Sequence, residues 1–461
     1  MYRHIFIIIQ LFVLLVKDTE SICLAKLVPD HIRLAFAGEN GVSIGWHTYS
    51  CPMSRENPNA NPTVIYGLSP TQLNFTSVNG NSSNYDSRNP LKVSWFYHVE
   101  LINLLPSTIY YYQIVAAEYV PASSIYSFRT APVLGSQTNP INILSYADLG
   151  VDGIMGDIVT GKHLFEKAIY AIEKMMPKAD FVLHHGDVCY ADNTPVIVLK
   201  TYEQAFDYCQ HAMTNITSQI FYMTTVGNHE INCTEANPLF KFCSPSHRNQ
   251  IPYSHRFYMP SKYSNGHLNS WYSFNYGFVH VISISCESDF PNSPSPNLID
   301  STTQVNWLRN DLASVNRSVT PWVIVQCHRP WKGSISKADI AEHGILNCPS
   351  CQAAFESLLL EYNVDIYLTG HVHWYERICL NGTVNTTEYT NPDGPVYLID
   401  GSIGSPEGSD VLYNRSSESC FLNNDPGFGF LTIKDPSHAT YTFYRVNDTA
   451  ILDQINITKK R

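Results

Sequence analysis

The chain has 461 residues, 44% of them hydrophobic and 15% charged, with a net charge of −11. Such a length predicts two domains, and sparse charge with 29 Tyr and 21 Phe favours β-rich globular structure over disorder. The negative balance argues against a nucleic-acid partner, because phosphate backbones select basic surfaces. It leaves small phosphate substrates open, since metal ions supply local positive charge whatever the net charge.

Arg3 and His4 precede an apolar run over residues 5–16, too short to span a bilayer comfortably and suited to a signal peptide over residues 1–21. A retained anchor is the alternative, and no other stretch is long and apolar enough to cross a membrane. N-x-S/T sequons stand at Asn74, Asn81, Asn215, Asn232, Asn316, Asn381, Asn385, Asn414, Asn447 and Asn456. Together with 12 cysteines they predict a secreted or lysosomal glycoprotein with N-linked glycans and disulfides. Cys379 with Cys420 and Cys233 with Cys243 are candidate bridges. The C-x-x-C of Cys348 and Cys351 has no second pair at zinc-ribbon spacing.

Residues 24–131 read as short strands between turns, over 32–36, 42–48, 63–67, 95–101 and 110–116, which predicts a β-sandwich. The stretch from Leu105 to Tyr112 resembles the tyrosine-corner strand of fibronectin type III domains. A Gly-, Ser- and Pro-containing linker over 131–140 follows. From 141 to 461 strands alternate with helices, which predicts a layered α/β domain. The strands are 142–147, 181–185, 220–226, 279–285, 322–326, 365–368 and 396–400. The helices are 162–176, 202–213, 304–315 and 352–362, the first with Leu164, Phe165, Ala168, Ile169, Ile172, Met175 and Met176 on one face. The end of the chain is again strand-rich.

Polar blocks fall directly after five of these strands: Asp148-Leu149-Gly150, Gly186-Asp187-Val188-Cys189-Tyr190, Gly227-Asn228-His229-Glu230, Cys327-His328-Arg329-Pro330 and Gly370-His371-Val372-His373. In open α/β sheets, ligands bind outside the carboxyl ends of strands, so these loops are expected to meet at one site. Carboxylate and phenolate suit a highly charged cation, while imidazole and amide suit a divalent one. Asp148, Asp187, Tyr190, Asn228, His328, His371 and His373 supply donors for two metals, the arrangement that stabilises attacking and leaving oxygens in phosphoryl displacement. Singly, each residue has a plain structural use; the ordered set of blocks carries the inference.

The blocks resemble the metallophosphoesterase superfamily, and Gly-Asp-x-x-Tyr is similar to its purple acid phosphatase branch. The resemblance spans the mature chain and implies an N-terminal β-sandwich, a layered α/β metallophosphoesterase domain and a strand-rich C-terminal segment around Gly427–Leu431. It implies hydrolysis of small phosphate monoesters by metal-bound hydroxide at a dinuclear centre of Fe(III) with Zn, Mn or Fe as the divalent partner. Asp148, Asp187, Tyr190 and His373 match the ferric ligands. Asp187 is the implied bridge, and Asn228, His328 and His371 complete the divalent site. His229 matches the position that protonates the leaving group, and Glu230 one that orients a histidine. A homodimer is compatible with this reading. Cys189 fills a variable position and is expected as a buried, inert thiol. Plant-type relatives place further histidines soon after the position of His328; none occurs from Arg329 to Ser334, so Lys332 and His343 stand next after His229 as proton donors.

Other activities fit less well. His229-Glu230 opens an H-E-x-x-H zinc-protease pattern, but Cys233 replaces its second histidine. There is no G-x-S-x-G elbow and no P-loop. A phosphodiesterase or nucleotide-directed phosphatase would use the same metals. A decayed, non-enzymatic binding glycoprotein would have lost ligands, yet all seven positions are filled.

Overall fold

The computed structural model describes residues 28–50, 56–78, 80–85, 93–117, 120–151, 164–193, 201–233, 244–295, 297–338, 348–379 and 387–460. The expected signal segment, Cys243, His343, Asn381 and Asn385 lie outside the described residues.

The described residues up to Arg129 form two facing sheets. One contains Phe75–Ser77, Val64–Gly67, Ile109–Ile114 and Tyr126–Arg129. Alternation along Ile109–Ile114 turns Tyr110, Tyr112 and Ile114 inward, as a half-buried strand requires. The Tyr110 hydroxyl accepts from the Leu105 amide at 3.0 Å, which is the expected tyrosine corner. The facing strands are Asp30–Phe36, Val42–Tyr49, Ser94–Leu101 and Asn81–Ser83.

This second sheet does not end at a domain edge. Asp30–Phe36 pairs in parallel with Phe221–Thr224 through Leu34 and Phe221, so it runs on into the C-terminal half as one 11-stranded sheet. Aromatic packing fastens the join: Phe36 stacks on Phe221 at 4.0 Å and leans on Phe274 at 4.7 Å. The expected linker is itself tied down, with the Gly135 amide donating to the Gly277 carbonyl at 2.8 Å.

Beyond the join, Ile141–Tyr146, Phe181–His184 and Phe221–Thr224 run parallel. Gly427–Asp435 pairs antiparallel with Ile141–Tyr146, and His438–Arg445 and Ile451–Thr458 extend the meander. A seven-stranded sheet faces this one. Its central strands Val279–Ser283, Trp322–Gln326, Ile366–Thr369 and Val396–Asp400 are parallel. Its Ile324 and Leu368 join the core between the sheets, while Val323, Val325 and Tyr367 turn to the opposite face, beneath Trp307, Leu308 and Leu358. Helices Leu164–Met175 and Tyr202–Thr217 pack on the large sheet, and Thr303–Ser314 with the 349–361 segment on the small one.

The helix from Tyr202 starts on a capping box, in which Thr201 and Gln204 exchange side-chain and backbone bonds at 3.3 and 3.0 Å. It continues past its expected end at 213 because Ile216 and Thr217 are buried, with the Thr217 hydroxyl donating to the Ile32 carbonyl. The last helical segment starts at Pro349, earlier than expected, and includes a π turn over Gln352–Glu356.

Candidate metal centre

The polar blocks leave their strands at the same end of the two sheets. To turn there, five non-glycine residues adopt positive φ: Asp148 (64°), Asp187 (55°), Cys189 (152°), Tyr190 (53°) and His371 (70°). Such conformations cost on the order of 1–3 kcal/mol each and persist only where surroundings over-determine them. Here the loops brace one another: the Asp148 amide donates to the Gly186 carbonyl at 3.3 Å, and Gly370 to His328 at 2.9 Å. Two glycines are required by close approach. A Cβ on Gly227 would lie 2.0 Å from Asp187 Oδ1, and one on Gly370 would lie 2.4 Å from Asp148 Oδ2.

Two groups of donors result. In the first, Tyr190 Oη lies 2.8 Å from both Asp148 Oδ1 and His373 Nε2. In the second, His328 Nε2 lies 3.1 Å from Asp187 Oδ2 and 2.9 Å from Asn228 Oδ1, and His371 Nδ1 lies 3.0 Å from the same Asn228 oxygen. Asp187, His328 and His371 present ligand atoms within 4.8 Å of one another. Six of the seven expected positions are buried, and His371 is half-buried.

The outward partners of the histidines settle what these atoms can be. His328 Nδ1 lies 2.8 Å from the His185 carbonyl, and His373 Nδ1 lies 3.0 Å from that of Gly408. A carbonyl only accepts, so each Nδ1 carries hydrogen and each neutral ring turns its Nε2 lone pair inward. The inward Nε2 of His328 therefore meets the Asp187 and Asn228 oxygens lone pair to lone pair, and that of His373 meets the oxygen of Tyr190, whose hydroxyl donates to Asp148. Without a cation, this repulsion is relieved by protonation. Burial opposes charge on His328, but Asp187 outweighs it and raises its pKa to about 9. Burial likewise opposes charge on His373, yet Asp148 carries it to about 10. Burial and the neighbouring Asp148 and Asp187 push the Tyr190 phenol well above its usual range. A cluster with this electrostatic deficit fits cations.

Beside the donors lies a cleft of about 160 Å³, lined by Asp187, Asn228, His229, His371, His373 and Glu407 among others. His229 Nδ1 lies 2.7 Å from Asp192 Oδ1, while its Nε2 stands 3.8 Å from Asp187 and 3.9 Å from Glu407. Burial would lower the His229 pKa, but Asp192 and Asp187 raise it well above 6.5. Two larger cavities, of about 750 and 730 Å³, lie elsewhere and bring together no metal-ligating group among the described residues.

Three expectations are corrected. Glu230 orients no histidine: its carboxylate accepts from the amides of Asp187, Val188 and Gly227 at 2.8–3.0 Å and so shapes the Asp187 turn. Cys189 is buried but is no thiol, because it is bridged to Cys209 on the Tyr202–Thr217 helix. Lys332 lies against Glu356 at 3.2 Å and over the Tyr397 ring, not in the cleft. The Cys379–Cys420 bridge is present, as are Cys286–Cys327 and Cys348–Cys351, the latter closing the C-x-x-C. Cys233 is also disulfide-bonded. Sequence inspection missed Asp192, Glu407 and Asp410, the last accepting from the His373 amide at 2.8 Å. Only Asp192, two residues after Tyr190, had a positional clue.

Comparison with known proteins agrees along the length of the chain. Family models match in succession: "Purple acid Phosphatase, N-terminal domain" over 29–130, "Calcineurin-like phosphoesterase" over 143–375 and "Iron/zinc purple acid phosphatase-like protein C" over 394–454. Acid phosphatase A of Cryphonectria parasitica is 31% identical over 94% of this chain and 92% of its own. Purple acid phosphatase 15 of Arabidopsis thaliana is 27% identical over 94% of this chain and 86% of its own. The solved purple acid phosphatase PPD1 from yellow lupin (Lupinus luteus) seeds shares the fold, with a TM-score of 0.75 at 21% identity over 94% of this chain and 75% of that one. The chain belongs to the purple acid phosphatase family, and its activity is that of a metallophosphoesterase acid phosphatase, a hydrolase of small phosphate esters with a dinuclear metal centre.

Proposed function

We propose that the chain hydrolyses phosphate monoesters with one ferric and one divalent ion, the latter Zn, Mn or Fe. Asp148, Tyr190 and His373 hold the ferric ion, Asp187 spans both, and Asn228, His328 and His371 hold the divalent one. The observation that carries this reading is the inward convergence of lone pairs from His328, Asp187 and Asn228, which only protons or cations relieve, with Asp148, Tyr190 and His373 gathered in a second group beside them. Phenol and carboxylate around the first position favour the harder ion. When bound, the pair of ions supplies charge neutralisation and an activated water. The chain's own part is to hold His229 beside the cleft, with Asp192 fixing Nδ1 so that Nε2 carries the proton toward the leaving oxygen. The test is metal analysis with a visible spectrum: one iron and one divalent ion per chain, with phenolate-to-iron charge transfer, is expected. Two bound metals without that band would remove Tyr190 from the iron.

Secretion or lysosomal delivery with N-linked glycans belongs to the same reading. Asn74, Asn81, Asn215, Asn316, Asn414 and Asn447 are exposed where a glycan can attach. Among the described residues no helix is long and apolar enough to cross a membrane. Loss of mass on glycosidase treatment of the secreted protein checks the glycans, and sedimentation checks a homodimer.

A further inference from the structure

Glu407 has no part in the chemistry above, yet it stands on the cleft wall beside the assigned proton donor. Its Oε1 lies 3.9 Å from His229 Nε2, and its side chain is 36% exposed. Consecutive residues of the Ala191–Asn193 turn hold the two side by side. Asp192 binds His229 Nδ1 at 2.7 Å, and Asn193 Nδ2 donates to Glu407 Oε1 at 3.1 Å. Asp192 and Asn193 are both buried, which fixes that spacing. The loop carrying Glu407 is tied down as well. The Glu407 amide donates to Ser405 Oγ at 3.2 Å, and just beyond it the Gly408 carbonyl and the Asp410 carboxylate accept from the His373 ring and amide at 3.0 and 2.8 Å.

Proton transfer places the leaving oxygen about 2.6–3.2 Å from His229 Nε2, and so within roughly 7 Å of the Glu407 carboxylate. The phosphoryl end of a substrate is directed at the metal donors, so it is the alcohol end that passes Glu407. The cleft, of about 160 Å³, has room for a phosphoryl group with a short alcohol, and its described lining includes no Lys or Arg to offset the carboxylate. An ammonium on that alcohol is attracted there, and a carboxylate or second phosphate is repelled. We propose that Glu407 is a specificity-determining residue that selects substrates by charge, favouring phosphate esters of amino alcohols over esters whose alcohol carries a further anionic group. The inference rests on the assignment of His229 as the proton donor.

The experiment uses the metal-loaded full chain at a pH of about 6, where ammonium and carboxylate groups are both charged. It compares kcat/KM for phosphoethanolamine and phosphoglycolate, each as a ratio to ethyl phosphate, in the wild type and in Glu407→Gln. Comparing ratios between the two proteins removes the intrinsic reactivity of each ester, and Gln keeps an oxygen for Asn193. The variant should lower the phosphoethanolamine ratio and raise the phosphoglycolate ratio, each roughly tenfold, a size between the limits of bulk water and protein surface for one charge pair. Glu407→Lys should carry both changes further. Equal change on all three esters would show that Glu407 only supports the charge of His229, and would overturn the proposal. Calorimetry on the wild type alone gives a second reading without any variant. There 3-aminopropylphosphonate should bind more tightly than propylphosphonate, and 3-phosphonopropanoate more weakly; equal or reversed order would also overturn the proposal. Equal loss on alkyl and nitrophenyl phosphates in His229→Ala would strike the proton-donor assignment instead, and leaves the phosphonate comparison readable.

Discussion

Burial and the adjacent Asp148 and Asp187 raise the Tyr190 pKa well above 10, so under the proposed assignment its ionisation is coupled to metal entry. Tyr190→Phe is expected to abolish the visible band while retaining part of the activity where both metals stay bound, as spectra and metal analysis on one sample will show. Asp187→Ala should release both metals and Asn228→Ala chiefly the divalent one; two metal equivalents retained in Asp187→Ala would end its bridging role. His229→Ala should slow alkyl phosphates far more than nitrophenyl phosphate, by part of the roughly 10²- to 10⁴-fold that general acid catalysis contributes. Asp192→Asn should shift rates in the same direction, because it removes the charge that keeps His229 protonated. Equal loss on both ester types would assign His229 to phosphate positioning. The convergence of these residues was legible because each block stands directly after an apolar strand. Asp192, Glu407 and Asp410 were not, since they are ordinary loop residues that reach the site only through the fold. The Cys189–Cys209 bridge was hidden for the same reason: its partner sits on a helix whose distance from the loop no spacing reveals.

Among elements, the strand-to-loop turns carry the tightest tolerances. Gly227→Ala would set a methyl 2.0 Å from Asp187 Oδ1, so it should lower both metal content and Tm. Gly408, with φ +86° but nothing within 4 Å of an added Cβ, should cost only about 1–2 kcal/mol as Ala, the left-handed penalty alone. Breaking Cys189–Cys209 with Cys209→Ser should destabilise by about 3 kcal/mol, the order expected for a closed loop of its length, measured by denaturant titration. The main strands and helices were readable because their apolar periods of two and 3.6 are strong, as in Ile109–Ile114 and Leu164–Met175. Ends were less so. Nothing local distinguishes Asn215–Thr217 from a loop, and burial against Ile32 alone extends that helix. The Asn228–Ile231 turn has too few residues to show any period.

Across the whole molecule, the seam between sandwich and catalytic half is where acidity should act. His31 is fully buried at this seam, stacked on His47 at 4.6 Å, with Asp30 3.7 Å away and Asp207 and Arg256 facing it. Burial, aided by His47 and Arg256, lowers its pKa from 6.5 to about 3 despite Asp207 and Asp30. Between those values the unfolded chain binds the extra proton, so this contribution is intact above pH 6.5 and is lost as pH falls toward 3. His31→Gln should flatten the fall of Tm with acidity; an unchanged slope would place the sensitivity elsewhere. That the sandwich and the catalytic half share one sheet was not legible, because the join rests on one strand pair and on aromatic contacts between residues far apart in sequence. The opposite margin of that sheet has its own consequence. Ile141–Tyr146, which carries Asp148 at its end, is flanked by Gly427–Asp435, so its neighbour is translated long after it. Until then the nascent chain bears an open strand edge beside the loop of a metal ligand, a template for pairing with other chains. A premature stop before Gly427 is expected to give an aggregating, metal-free product even though every proposed donor residue has already been translated, as pelleting and metal analysis of the truncated chain will show.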